Sequence, residues 1–204
     1  MDLPKKDKYG NSYVSYSQLS TFKNSQKDYY ERYILNKPFE GNEYTDFGSK
    51  VGEALEKNNF DLFDDKEKET LNKVTRLDEF ERKCVLKYEG FYVLGFIDTN
   101  SFDLSEIIDY KTGGKKKEFQ YLKDDYHQLH LYALALRQET GITPTKASVE
   151  FIRRTGNAFK GEKLRVGNEL IKTEINISIK NLTRVYWETL RTVKEINRFY
   201  KSKI

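Results

Sequence analysis

Residues 95–114, GFIDTNSFDLSEIIDYKTGG, constrain this chain more than any other stretch. Side chains on a strand alternate between its two faces. Within Ile107-Ile108-Asp109-Tyr110-Lys111, Asp109 and Lys111 therefore share one face, while Ile108 and Tyr110 take the other. Asp98 lies just beyond an apolar run, Val93 to Ile97, on the preceding segment. A connection of about seven residues, 99–105, lets the two strands pair and brings Asp98 beside Asp109. Two carboxylates that close repel each other unless a hard divalent cation sits between them, and Mg²⁺ favours such oxygen ligands while keeping several waters. A lysine two residues on can orient or deprotonate an attacking water, or offset charge building on a phosphate. Two acids and a lysine on adjacent strand ends make a minimal phosphodiesterase site. A D-x-K triplet alone says little in a chain that is 33% charged, and an exposed salt bridge between Asp109 and Lys111 is its ordinary reading. Here the triplet closes an apolar β run, follows G-x-x-D on a neighbouring strand and precedes Thr112-Gly113.

The rest of the chain supplies a frame. Residues 1–14 read as a flexible N-terminal arm and 15–204 as a single domain. Ser17 stands where it can N-cap a helix over 18–34, with Leu19, Phe22, Tyr29, Tyr30 and Tyr33 on its apolar side. A second helix begins near Asp46 and passes Leu55, and 61–82 reads as further short helices. Segments 83–88, 91–99 and 105–112 are rich in Val, Ile, Tyr and Phe and predict an antiparallel meander. Residues 119–140 return to a helical period, with Leu122, Tyr126, Leu129, Tyr132, Ala133 and Leu136 on one stripe. Residues 145–153 and 170–178 read as strands, and 181–201 as a final amphipathic helix. The expected fold is α/β, a central mixed β-sheet flanked by helices.

Composition excludes some classes. No run of about 18 apolar residues occurs, so no membrane span is expected. The N-terminus lacks the apolar core of a signal peptide. One cysteine, Cys84, allows neither an internal disulfide nor a thiolate metal cluster, which suits a reducing cytoplasm. Residues 1–110 hold 16 Lys and Arg against 22 Asp and Glu, whereas 111–204 hold 20 against 10. Such a split suits a protein that meets a polyanion on one side; a solvated charged surface explains it equally well.

On these residues the chain resembles the RecB-like and Cas4-like PD-(D/E)XK nucleases, over about residues 15–200. SYSQLSTFKNSQKDYYERYI is similar to that family's leading helix, FGSKVGEALE to its G-x-x-x-H helix, GFIDTN and IIDYKTG to its two metal-binding strands, and YHQLHLYALAL to its Q-x-x-x-Y helix. Five elements in the family's order are more specific than any one. The resemblance implies a restriction-endonuclease-like core and a metal-dependent DNA nuclease, by family weight an exonuclease or DNA-end-processing enzyme. It also implies a bacterial, phage or mobile-element setting, with recruitment to a replication or recombination protein as one mode of action. It makes Asp98 and Asp109 ligands of Mg²⁺ or Mn²⁺, Tyr110 a ligand through its backbone carbonyl, and Lys111 the catalytic lysine. Gln128 and Tyr132, one helical turn apart, become site-lining residues that contact DNA or support the lysine; ordinary packing is the alternative.

Two departures from the family stand out. Where many relatives carry a metal-binding histidine, this sequence has Gly48-Ser-Lys-Val-Gly52. Glu53 could replace the imidazole as an oxygen donor, with Glu56 as its rival; equally, the loss could mean a non-catalytic DNA-binding or scaffold protein on the same fold. The cysteines that bind an iron-sulfur cluster in some relatives are missing, so no cluster is expected. Lys115, Lys116 and Lys117 could grip phosphate or be a solvated loop. Arg153 and Arg154, with Lys160, Lys163 and Arg165, surround a Gly-containing connection that could close over DNA. Tyr29, Tyr30 and Tyr33 could stack on bases, though helix packing is the better reading; His127 and His130 lack the spacing of a zinc site.

Overall fold

A computed structural model of the chain describes residues 1–38, 40–115, 117 and 126–203. Among them, six strands form one mixed sheet: β1 (Tyr13–Ser15), β2 (Glu79–Tyr88), β3 (Phe91–Asn100), β4 (Glu106–Gly113), β5 (Lys146–Thr155) and β6 (Arg165–Glu174). The helices are α1 (Tyr16–Asn24), α2 (Gln26–Tyr29, followed by a π turn over Tyr30–Ile34), α3 (Glu43–Lys57), α4 (Asp65–Leu71), α5 (His127–Thr140) and α6 (Ile179–Lys201). Strand β2 runs antiparallel to β3, β4 parallel to β5, and β6 antiparallel to β5. None of the described helices is long and apolar enough to cross a membrane.

The sheet separates two apolar clusters. One gathers Leu19 and Phe22 of α1, Leu129, Leu136 and Tyr132 of α5, and Val185, Val193 and Ile196 of α6 against β2, β3 and β4. The other gathers Phe47, Val51 and Leu55 of α3 and Leu71 of α4 against Ile152 and Val166. Helix α3 forms because its apolar residues recur at one-turn spacing and because Asn42 and Thr45 make a reciprocal capping box. It ends at Asn58, whose left-handed backbone (φ 49°) stops the helix. Leu55 is fully buried, so Leu55→Ala costs about 2–5 kcal/mol.

Several elements differ from the sequence expectation. The segment 1–14, expected as a flexible arm, is packed: Leu3 and Val14 are fully buried, and β1 adds parallel to β3. The terminal ammonium donates to the Gly90 carbonyl at 3.0 Å, which fixes the first residue against the β2–β3 turn. Ser15, not Ser17, caps α1, accepting from the Gln18 N–H at 3.3 Å. Ser25 then leaves the helical region and caps α2, so the expected single helix is broken in two. Strand β2 starts at Glu79, inside the stretch read as helical.

One feature of the sheet prepares the site. Strand β2 covers one edge of β3 from Phe91 to Asn100. On the other edge, β1 takes Tyr92 to Leu94 and β4 meets only Thr99 and Asn100. Residues 95–98 of that edge have no strand partner among the described residues, and the sheet forks there.

Candidate active site

Asp98 lies in the fork. Its Oδ2 accepts from the Tyr110 backbone N–H at 2.6 Å, the role a ladder carbonyl would fill had the strands stayed paired. Sequence alternation anticipated that Asp98 and Asp109 converge; it did not anticipate that the ladder opens to let them. Burial, and after it the Asp109 carboxylate, holds the Asp98 carboxyl up at about 7, against the opposing pull of Lys111 and the Tyr110 N–H.

Asp109 is fully buried. Its Oδ2 meets Lys111 Nζ at 2.5 Å and the Tyr126 hydroxyl at 3.1 Å, while its Oδ1 has no hydrogen-bond partner among the described residues. A buried acceptor left without a donor costs about 1–3 kcal/mol, more when charged. Lys111 Nζ also lies 3.3 Å from the Tyr110 carbonyl oxygen. The ammonium thus sits against two of the oxygens that the family resemblance gives to a metal, neutralising what a divalent ion would neutralise. The orphaned Oδ1 and the all-oxygen donor set fit Mg²⁺ or Mn²⁺.

Glu53, the expected third ligand, lines the same cavity as Asp98 but is engaged by Lys57. Glu53 is 61% exposed and pairs with Lys57 at 2.5 Å. Among the described residues, no three His, Cys, Asp or Glu gather closely enough to hold an ion. Gly52, in the place of the family histidine, lines the cavity beside Asp98, and a Cβ built there would meet nothing within 4 Å. Glu53, turned about 100° from it, and Glu56, one turn on, both line the same cavity.

Helix α5 braces the site from the other face. Tyr126 Oη lies 2.5 Å from Gln128 Oε1, and Gln128 Nε2 lies 2.6 Å from Tyr132 Oη. A phenol has one proton and cannot donate to both Gln128 and Asp109. Turning the amide over satisfies every group: Tyr132 donates to Gln128, Gln128 donates to Tyr126, and Tyr126 donates to Asp109. The Tyr132 ring can sit here because β3 has Gly95, where a Cβ would fall 2.4 Å from the Tyr132 ring. His130 is fully buried, with one ring nitrogen 3.0 Å from the Tyr126 carbonyl and the other 3.0 Å from the Asn176 carbonyl. It is a brace for Tyr126. His127 faces Glu188 of α6 at 3.5 Å.

A cavity of about 1070 Å³ opens between α3 and the fork. Gly52, Glu53, Glu56, Glu81 and Asp98 line it toward the C-terminal half of α3, and Tyr44, Lys117, Arg154 and Phe159 toward its N-terminal half. Glu81 stands opposite Asp98, between the pairs Phe80–Thr99 and Arg82–Ile97, with a left-handed backbone (φ 48°) inside a strand. Such strain costs about 1–3 kcal/mol, and burial followed by the Glu56 charge raises the Glu81 pKa. Nothing in the alternation of 79–88 marks this residue in the sequence. Tyr126 was visible only as part of an apolar stripe, because its hydroxyl contact depends on the tertiary fold.

The basic candidates divide. Arg154 places its guanidinium 4.0 Å from the Tyr44 ring, and Lys117 lines the cavity. Arg153 instead pairs with Glu169 across β6. Lys115 is exposed, and Lys116 lies outside the described residues. Tyr29 is fully buried against Phe22 and Tyr33, so it packs the helices.

A family model described as the PD-(D/E)XK nuclease superfamily matches residues 60–193, which include Glu81, Asp98, Asp109, Lys111, Gln128 and Tyr132. No curated protein matches the chain. Among solved structures, a candidate exonuclease from Eubacterium rectale is similar in fold, with a TM-score of 0.60 at 14% identity over 95% of this chain and 83% of that one. The protein SSO0001 is more remote, with a TM-score of 0.45 at 14% identity over 92% of this chain and 77% of that one.

Proposed function

The chain belongs to the PD-(D/E)XK nuclease superfamily, and on that premise we propose that it is a divalent-cation-dependent deoxyribonuclease acting on DNA ends. The observation that carries this reading is Asp109: a fully buried carboxylate with one oxygen unpartnered among the described residues, a second carboxylate beside it and a lysine in contact. Asp98, Asp109 and the Tyr110 carbonyl would hold Mg²⁺ or Mn²⁺, which supplies positive charge for the attacking water and for the oxygen that leaves phosphorus.

The chain's own residues do the rest. Tyr126 donates to Asp109 Oδ2 and fixes its rotamer. Gln128 and Tyr132 hold Tyr126 in turn. Lys111 gives up its two oxygen contacts and turns its ammonium to the phosphate, offsetting the charge that grows as the P–O bond breaks. Lys117 and Arg154 meet neighbouring phosphates, which position the strand without reading its sequence. Recruitment by a replication or recombination protein, in a bacterial or phage setting, is supported by the family resemblance alone.

One observation favours a second reading, a DNA-binding scaffold without activity: no third acidic or imidazole ligand is gathered among the described residues. Labelled single- and double-stranded DNA incubated with Mn²⁺, Mg²⁺ or EDTA separates the two. Cleavage that EDTA stops, and that Asp109→Ala and Lys111→Ala abolish, supports the enzyme. Binding without cleavage in either metal leaves the scaffold.

A further inference from the structure

The β5–β6 connection carries Phe159, which at 89% is the most exposed of the large apolar side chains described. A lone exposed apolar residue needs no explanation, but this one is held in place. Gly156 (φ 83°) closes the base of the connection so tightly that a Cβ there would fall 2.2 Å from the Lys163 carbonyl oxygen. The Asn157 side chain accepts from the Phe159 N–H at 3.1 Å and from the Tyr44 hydroxyl at 3.1 Å. The Tyr44 hydroxyl in turn accepts from the Ala158 N–H at 3.1 Å, which ties the turn to the first residues of α3. Leu164 is buried in the α3 cluster and Ala158 packs against it. An apolar ring is thus presented to solvent on an anchored turn.

Its neighbours give the ring a purpose. Phe159 and Tyr44 have ring centroids 5.5 Å apart, and the Arg154 guanidinium lies 4.0 Å from the Tyr44 ring. All three line the same cavity as Asp98 and Lys111, at the end away from the acids. Aromatic rings beside cations are the chemistry that takes a nucleobase by stacking while its phosphate is neutralised. Inside a duplex both faces of each base are covered, so such a platform is used only where a face is free.

We propose that Phe159, with Tyr44 and Arg154, is a base-stacking platform that makes unpaired DNA, a single strand or a frayed end, the preferred occupant of this cavity. The inference rests on the nuclease reading above and names its substrate. The preformed turn means that little ordering cost opposes binding.

The test compares rates of Mn²⁺-dependent cleavage on a single strand and on a blunt duplex of the same sequence, for wild type, Phe159→Ala and Phe159→Trp. The ratio of single-strand to duplex rates falls about tenfold in Phe159→Ala, the scale of one lost base–aromatic stack, and recovers in Phe159→Trp. A second measurement uses oligonucleotides with one 2-aminopurine near the end, in EDTA: wild type quenches its fluorescence by stacking, and Phe159→Ala does not. An unchanged ratio with unchanged quenching overturns the platform while Lys111-dependent cleavage still stands. Quenching that depends on Phe159 without any cleavage keeps the platform and sinks the nuclease reading. A change of oligomeric state in Phe159→Ala, with stacking unaffected, assigns the ring to a self-contact and overturns the proposal.

Discussion

The two ends of the cavity, built in part by one helix, are made to opposite rules. At the C-terminal half of α3, Glu53, Glu56, Glu81 and Asp98 line the cavity, Glu81 is strained, and Asp109 behind them keeps one oxygen without a partner among the described residues. At the N-terminal half, Tyr44, Asn157 and Ala158 satisfy one another by hydrogen bonds, and Arg154 lies over an aromatic ring. Repulsion between Asp98 and the buried Asp109 is the signature of a site that waits for positive charge, because like charges taken out of water are costly to keep. Satisfaction at the other end is the signature of a surface formed before its ligand arrives. Substitutions at the acid end should therefore respond to divalent cations, and those at the aromatic end should not.

The largest expected effect is at Lys111, whose ammonium stands in for a cation beside Asp109. Lys111→Met removes the buried partner of a carboxylate, which destabilises by about 3–5 kcal/mol when nothing replaces it. Mn²⁺ replaces it, so the melting point of this variant is low in EDTA and recovers with Mn²⁺. Cleavage stays down by about 10²–10⁴-fold in both conditions. If Mn²⁺ fails to restore the melting point, the amine is not occupying cation territory.

Asp98 gives the next effect, as a function of pH. Its carboxyl is held at about 7 in the folded chain, against about 3.9 when unfolded. The folded chain therefore binds this proton more tightly. The associated stability is fully present below about pH 4 and is lost as pH rises through about 7. Asp98→Asn carries no charge at any pH and escapes that loss. In EDTA its melting point should match wild type near pH 4 and exceed it by several degrees at pH 8; Mn²⁺ should close the gap by stabilising only the wild type. A gap that stays constant with pH breaks the argument.

Smaller again is the effect of filling the vacancy at Gly52, where a new side chain meets open space on the cavity wall. Gly52→His should tighten Mn²⁺ binding about tenfold by titration calorimetry, the lower end of what one supporting group contributes at a metal site. Unchanged affinity would show that this wall is too far from Asp98 to share an ion.

These contrasts also show which parts were legible in the sequence. The strand ending in Asp109 and Lys111 could be read because alternation is local and its apolar residues mark the buried face. Helix α5 and its Gln128–Tyr132 spacing were legible for the same reason. Glu81 was not, since its importance comes from a strand partner, Asp98, seventeen positions away and from a backbone conformation that composition does not encode. Glu53 and Glu56 could not be ranked from sequence, because both line the cavity with Gly52 and only the tertiary fold shows that Glu53 is engaged by Lys57. The packed N-terminus was missed because Leu3 is a single apolar residue without periodicity, and only the sheet edge beside it makes it core.

The smallest expected effect lies at the satisfied end and carries the opposite signature. The Tyr44 hydroxyl donates to Asn157 and accepts from the Ala158 N–H, in partly buried surroundings. Tyr44→Phe removes both bonds but keeps the ring. Each bond is worth roughly 1 kcal/mol net, so the variant should lose about 1–2 kcal/mol, a melting-point drop of a few degrees in a chain of this size. Because no carboxylate is involved, that drop should be the same in EDTA and in excess Mn²⁺, once the stabilisation of the wild type by the ion is subtracted. Should Mn²⁺ restore Tyr44→Phe as it restores Lys111→Met, the two ends are mechanically one, and the turn that presents Phe159 is set by the ion rather than by its own hydrogen bonds.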